Sequence, residues 1–416
     1  MNLPTELIRR EPFLWINPSL EIDIDLDTAD MEQAKNDWEA FGPLIAELFD
    51  GAEIDSALTP LLGFFSDSDA ISFLKQDNRL PVAGSIKARG GFFEVLSHAR
   101  ELALQEDLIK PGQPLVALAS QQTFFTNYRL DVASTGNLGL SIGLMGRAIG
   151  FSVYVHMSAD AKQWKKDLLQ SRGARVVEYD GDYSLAVTKA RAASLAEPRS
   201  YFVDDERSLR LFWGYSKAAY DLIRQLPDDI TPERPLFVAI PCGVGGAPGG
   251  IAYGLKALLG KSAHIFFAEP VESPSVLLGM ASGKRDDIKV QDIGLTGKTL
   301  ADGLAVGRPS GYVCRQMDRV LSGIFTVTDQ SLLAMQYRLY REEGIKCEPS
   351  ACAGLFLPHF IRTEPGQQYL QRHSIKPLNI RYVFWATGGA LIPEEKYQDQ
   401  LAEGKVFLEQ QPNMLD

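Results

Sequence analysis

Apolar residues recur every three to four positions through MEQAKNDWEAFGPLIAELFD (Met31–Asp50). Ala34, Trp38, Phe41, Ile45, Leu48 and Phe49 form one stripe, which predicts an amphipathic helix packed on a core. Beyond residue 75 the pattern changes to short apolar runs separated by glycine-rich turns and amphipathic stretches. FSVYVHMS (Phe151–Ser158) predicts a strand, and ADAKQWKKDLLQSRG predicts the helix after it, N-capped by Ser158 and stopped at Gly173. ARVVEY, SYFVDD, PLFVAIPCG, AHIFFAEP and RYVFWATGG repeat the strand theme. β-rich runs alternating with helices predict an α/β fold of mostly parallel sheets with helices on both faces. No short repeat or low-complexity tract points to a solenoid.

In open α/β sheets ligands bind beyond the carboxyl ends of the strands. The segments in that position are STGNLG (Ser134–Gly139), DDE (Asp204–Glu206), CGVGGAPGG (Cys242–Gly250), AEP (Ala268–Pro270) and ATGG (Ala386–Gly389). Glycines in CGVGGAPGG either make a close-packed turn or let backbone N–H groups turn toward an anion, to which the helix that follows adds its positive end. The segment lacks the Lys-Ser/Thr ending of a P-loop, which disfavours a nucleoside triphosphate. In STGNLGLSIG, Ser134, Thr135 and Asn137 either cap a helix or, with its free N–H groups, hold a small carboxylate.

One lysine stands out. VAGSIKARGGFFEVL sets Lys87 among small residues, followed by Arg89, Gly90 and Gly91. A lysine nucleophile, a phosphate cradle, a carboxylate-binding helix start and a Thr-Gly-Gly strand end together describe a pyridoxal phosphate site. The aldehyde needs the lysine, the phosphate needs N–H donors, and a neutral hydroxyl such as Thr387 suits the pyridine nitrogen. On this reading the small residues around Lys87 make room for the ring.

Composition narrows the partners. The 416 residues are long enough for two domains, and a net charge of −11 argues against nucleic acid or an anionic membrane. The four cysteines (Cys242, Cys314, Cys347, Cys352) form no CxxC pair or zinc spacing, so no metal site is expected from them. Glu6, Arg9, Arg10 and Glu11 interrupt the first apolar residues, so no secretory signal is read there and a cytoplasmic location is the default. The five histidines fall in no motif and are read as structural.

GSIKARGG, STGNLGLSIG, HMSADAKQWKK, PCGVGGAPGG, ADGLAVGRPSG, EEGIKCEPSA and WATGGALIPEE resemble the bacterial-type D-serine dehydratase family. That family belongs to the tryptophan-synthase β-like, fold-type II group of pyridoxal phosphate enzymes. The resemblance runs from about residue 70 to the C-terminus. Other fold-type II enzymes typically carry Phe before the lysine and Arg-Gly-Ala after it, where this chain has Ile86 and Gly90-Gly91. The resemblance implies Lys87 as the Schiff-base lysine and Asn137 beside the cofactor's 3′-oxygen. It also implies Gly243, Val244, Gly245 and Gly246 as the phosphate loop and Thr387 as the pyridine-nitrogen partner. Ser134, Thr135, Gly136 and Asn137 match the substrate-carboxylate loop. Ala247 stands where a glycine is more usual.

The resemblance further implies conversion of D-serine to pyruvate and ammonia by α,β-elimination. Thr135 is then a candidate for proton transfer at Cα, and Asp205 (or its neighbour Asp204) for the leaving hydroxyl. Glu269, Asp302 and Glu348 are candidates for a monovalent cation, K⁺ or Na⁺, although no metal-ligand spacing supports one. The implied domains are an N-terminal helical segment (1–70), a large cofactor-binding domain (71–111 and 216–416) and a small inserted α/β domain (112–215). The implied state is a monomer, with a dimer left open, and D-threonine is a second candidate substrate. An L-serine or threonine dehydratase, a serine racemase, a β-replacement synthase and a non-catalytic cofactor-binding protein are the competing readings. Chirality rests on the resemblance alone.

Overall fold

The computed structural model describes residues 3–65, 71–134, 136–159, 161–180 and 183–411. Its strands are β1 (Leu14–Ile16), β2 (Leu58–Pro60), β3 (Ile71–Lys75), β4 (Arg129–Ala133), β5 (Ser152–Ser158), β6 (Arg175–Tyr179), β7 (Ser200–Val203), β8 (Leu236–Pro241), β9 (Ala263–Pro270), β10 (Gly323–Val327) and β11 (Arg381–Trp385). They fall into two sheets, each within its own compact unit. The fold is mixed α/β with mostly parallel strands, as the hydrophobic pattern predicts.

The first unit comprises Met1–Thr28, Ser56–Arg79 and Ala218–Asp416. Its sheet runs β1-β10-β9-β8-β11-β3-β2. The five inner strands are parallel, while β1 and β2 pair antiparallel at the two edges. Strands β8, β9, β10 and β11 are buried along their whole length, which explains why LFVAIP and AHIFFAEP read as continuous apolar runs rather than alternating ones. Phe237, Phe266, Phe325 and Phe384 sit in the core built on them. The short edge strands β1 and β2 carry no such run, and the sequence pattern does not mark them.

The second unit comprises Ala29–Asp55 and Leu80–Lys217. Its four-stranded sheet, β6-β5-β4-β7, is parallel throughout. The helix expected near the N-terminus spans Ala29–Leu48 and buries Ala34, Trp38, Phe41 and Ile45, while Leu48 is only half-buried. Asp37 on it forms a two-pronged ion pair with Arg100 at 2.6 and 2.7 Å. This tethers it to the Lys87–Gln105 helix. Residues 80–111 belong to this unit, whereas the resemblance implies a large domain that includes 71–111. The reason is that the Lys87–Gln105 helix packs tightly on the Asn137–Ile149 helix: a Cβ on Gly91 would stand 3.0 Å from the Ser141 Cβ.

One cap is misplaced by the sequence. Ser158 is the last residue of β5, and the next helix begins at Gln163 behind Lys162, so Ser158 is no N-cap. Ladder pairing explains it: the Ala159 N–H still donates to Tyr179 O at 2.9 Å, holding the chain in the sheet one residue longer. Among the described residues no helix is long and apolar enough to cross a membrane.

Candidate active site

Parallel register brings the suspect loops to one edge of each sheet. In the second unit Val132 of β4 lies level with Val203 of β7, so Ser134–Asn137 and Asp204–Glu206 leave the sheet on the same side. In the first unit Pro241 of β8 is level with Ala268 of β9, and Ala239 with Phe384 of β11, so Gly243–Gly246, Glu269 and Thr387 share an edge as well.

Lys87 is the first residue of its helix, and its backbone N–H donates to Ser85 Oγ at 3.1 Å. Its side chain is 20% exposed, and Nζ lies 3.1 and 3.3 Å from the two oxygens of Asp205, itself 10% exposed. An amine beside a carboxylate at a strand end can exchange protons with a bound substrate. The glycines after Lys87 do not make room for a ligand ring. A Cβ on Gly90 would stand 2.3 Å from Tyr215 Cζ, and Gly91 is packed against Ser141 and Ile142. Helix packing accounts for them. Lys75, the last residue of β3, is fully buried and donates to Ser56 O and Gln225 Oε1, which gives it a structural task.

Below Lys87 the same helix meets β7 and the segment after it through further polar pairs. Glu94 is fully buried and accepts from Tyr201 Oη and Ser208 Oγ. Burial raises its pKa despite those bonds. His98 stacks on Tyr201 with ring centroids 4.0 Å apart, and burial together with the Arg210 charge pushes its pKa down to about 4. Asp204 is held differently from Asp205, pairing with Arg191 at 2.7 Å and accepting from the Glu206 N–H.

The Ser134 hydroxyl accepts from the N–H groups of Gly136 (3.2 Å) and Gly139 (3.0 Å), so it fastens the start of the Asn137–Ile149 helix. Asn137 is half-buried at that helix's first position, and Thr135 lies outside the described residues. Lys165, which the sequence reading passed over, is buried, and its Nζ lies 3.7 Å from where a Cβ on Gly136 would stand. The Lys165 amine therefore borders the turn.

In the first unit Gly245 has φ +105° and ends the turn before the Gly246–Leu259 helix, which no side chain caps. A Cβ on Gly245 would meet Val313 Cγ1 at 2.8 Å, and one on Gly243 would meet Gly303 O at 3.0 Å. The carbonyls of the turn are taken up by the protein: Gly243 O accepts from Ser275 Oγ and Val244 O from the Ser310 N–H. Because a trans peptide points its N–H opposite its C=O, the N–H groups of Val244 and Gly245 face the other way. That is a cradle for an anion. Ala247 is buried behind it on the helix. Thr387 is buried just past β11, and its turn is locked by Gly389 (φ +127°) and by the Glu348 N–H donating to Gly388 O at 3.0 Å. Glu269 uses both carboxylate oxygens to accept from the Val276 and Leu277 N–H groups, and complete burial pushes its pKa up to about 8. Among the described residues no cluster of metal-ligating side chains is present.

The profile of the pyridoxal-phosphate dependent enzymes matches residues 51–365. The chain belongs to the pyridoxal-phosphate dependent enzyme family. Relatives named "Probable D-serine dehydratase" are 46% identical in Cupriavidus pinatubonensis (95% of this chain, 93% of that protein) and 42% identical in Pseudomonas putida F1 (96% and 95%). The diaminopropionate ammonia lyase of Escherichia coli, solved in complex with D-serine, shares the fold, with a TM-score of 0.73, 16% identity, and 95% and 98% of the two chains covered. A threonine deaminase from Solanum lycopersicum superposes with a TM-score of 0.68 at 20% identity, over 94% and 92%. The fold is therefore that of the fold-type II group. The uncapped cradle at Gly243–Gly246 fits a phosphate, and the neutral, buried Thr387 fits a pyridine nitrogen. Three further side chains of the second unit that the sequence pattern does not single out, Tyr215, Glu94 and Lys165, sit inside ordinary amphipathic helices, where nothing in the local pattern separates them from packing residues.

Proposed function

We propose that this chain is a D-serine ammonia-lyase that converts D-serine to pyruvate and ammonia by α,β-elimination. The observation that carries the reading is Lys87, a helix-start amine held 3.1 Å from Asp205. The relatives at 42–46% identity over 95–96% of the chain, named as probable D-serine dehydratases, supply the substrate and its chirality.

Lys87 would hold the cofactor's aldehyde, and the turn at Gly243, Val244, Gly245 and Gly246 would hold its phosphate. Thr387 would be the neutral partner of the ring nitrogen, and Asn137 would serve the 3′-oxygen. Pyridoxal phosphate, when bound, supplies the electron sink that stabilises negative charge at the substrate Cα. The substrate carboxylate is held by the N–H groups at Ser134–Asn137, with the Lys165 ammonium adding a favourable charge. The Lys87 amine, beside Asp205, would move protons on its own side of the substrate. Thr135 would act at the Cα proton, and the Asp205 carboxylate would pass a proton from the Lys87 ammonium beside it to the departing hydroxyl, since hydroxide leaves poorly without one.

A monovalent cation, K⁺ or Na⁺, belongs to the same reading. So do a cytoplasmic monomer and slower turnover of D-threonine. The experiment is pyruvate or 2-oxobutanoate release from D-serine, L-serine, D-threonine and L-threonine in parallel, repeated in K⁺, Na⁺ and tetramethylammonium buffers. Preference for D-serine supports the proposal. Preference for an L-amino acid, or interconversion of the serine enantiomers without keto acid, overturns it in favour of an L-specific dehydratase or a racemase.

A further inference from the structure

Among the described residues the Tyr215 hydroxyl, on the Leu209–Gln225 helix, is fully buried and has no hydrogen-bond partner. Buried donors are rarely left so, and an orphan in a well-packed region asks for an explanation. The ring cannot retreat easily: its Cζ, Cε2 and Cε1 all lie within 2.3–2.7 Å of where a Cβ on Gly90 would stand. Gly90 follows Lys87 by three residues, so the hydroxyl end of the ring and the Lys87 side chain meet the same face of the helix. Lys87 Nζ lies 5.9 Å from the ring centroid. Asp205 and Glu94 are the charged groups that act on the hydroxyl, and with burial they keep its proton firmly in place.

The ion pair explains what an idle donor is for. In the free-amine protein Lys87 supplies an ammonium, with three N–H donors, to both oxygens of Asp205. Joining that nitrogen to an aldehyde carbon consumes two of its protons with the departing water and leaves it at most one. Asp205, only 10% exposed, then loses donors that bulk water cannot readily replace. We propose that Tyr215 is a positioning residue for Asp205, its hydroxyl donating to that carboxylate once the Lys87 amine is bonded to the cofactor. The inference rests on the reading of Lys87 as the cofactor lysine.

The test is Tyr215→Phe, which keeps the ring and removes only the oxygen. In cofactor-free protein the variant removes an unsatisfied polar group, so Tm rises. In loaded protein it removes a bond, so Tm falls. By linkage the cofactor dissociation constant then increases about tenfold. With D-serine, kcat falls about tenfold while KM changes less than about twofold, because the group acts on Asp205 and does not touch substrate. In an Asp205→Ala background the hydroxyl has nothing to hold, and adding Tyr215→Phe raises Tm in both states. Tm shifts of the same sign in both states, or an unchanged cofactor affinity, overturn the proposal. Borohydride labelling of the wild type separates the two claims: label away from Lys87 overturns both, and label on Lys87 with same-sign shifts overturns only the role of Tyr215.

Discussion

Replacing Gly90 by alanine tests the packing beneath Lys87. The added methyl carbon would stand 2.3, 2.5 and 2.7 Å from three ring carbons of Tyr215, which is fully buried. Relieving the shortest contact to ordinary van der Waals distance needs a shift of about 1 Å in a close-packed ring. Overpacking of this kind costs ~1–3 kcal/mol, and three simultaneous contacts put Gly90→Ala at the upper end. Alanine returns ~1 kcal/mol as the better helix former. The expected net loss is ~1–2 kcal/mol, a five- to thirtyfold drop in the folded ratio at roughly this magnitude. Urea titration of cofactor-free protein, followed by far-UV circular dichroism, reads it as a lower midpoint at unchanged slope. Gly91→Ala is the control, since its Cβ meets Ser141 at 3.0 Å and Ile142 at 3.4 Å, contacts that small shifts relieve. A Gly90→Ala protein as stable as wild type, or less affected than Gly91→Ala, would refute the packing argument.

Asp205→Asn removes the carboxylate paired with Lys87 and lowers pyruvate release ~10²–10⁴-fold, while deuterium exchange at the D-serine Cα persists; loss of both together would move Asp205 to the first proton transfer. Gly245→Asp puts a charged side chain at a φ of +105° and 2.8 Å from Val313, so cofactor retention after dialysis falls well below wild type, and unchanged retention in folded protein contradicts the phosphate assignment. Glu269 has its folded pKa raised to about 8 by burial, so its contribution to stability is complete below about pH 4.5 and is lost as pH rises toward 8. Glu269→Gln therefore flattens the fall in Tm between those pH values, and an identical pH slope in the variant would refute the burial argument.

Much of the fold was legible because long parallel strands are apolar on both faces: LFVAIP and RYVFW announce themselves without any partner in view. The short edge strands β1 and β2 were not, since three residues pairing antiparallel at a sheet margin need no apolar run. The Ser158 cap failed for a related reason, as β-ladder pairing across to Tyr179 outweighed a local capping preference. The positions of Lys87 at a helix start and of the Gly243–Gly246 turn and the Asp204–Glu206 segment after strands were legible, because small residues, glycines and acidic residues at the ends of apolar runs mark those junctions. Gly90 shows the limit of that reasoning. Its neighbour Tyr215 is 125 positions away in the chain, and only the packed structure reveals that the glycine accommodates a phenol ring.

The central claim is that Lys87 carries the cofactor, and one measurement reaches it directly. The purified, loaded protein is reduced with borohydride, digested and mapped by mass spectrometry for the lysine bearing the reduced pyridoxyl group. The account predicts the label on Lys87, within the peptide around SIKARGG, at close to one per chain. Label on any other lysine, Lys75 or Lys165 included, with Lys87 unmodified, would contradict it.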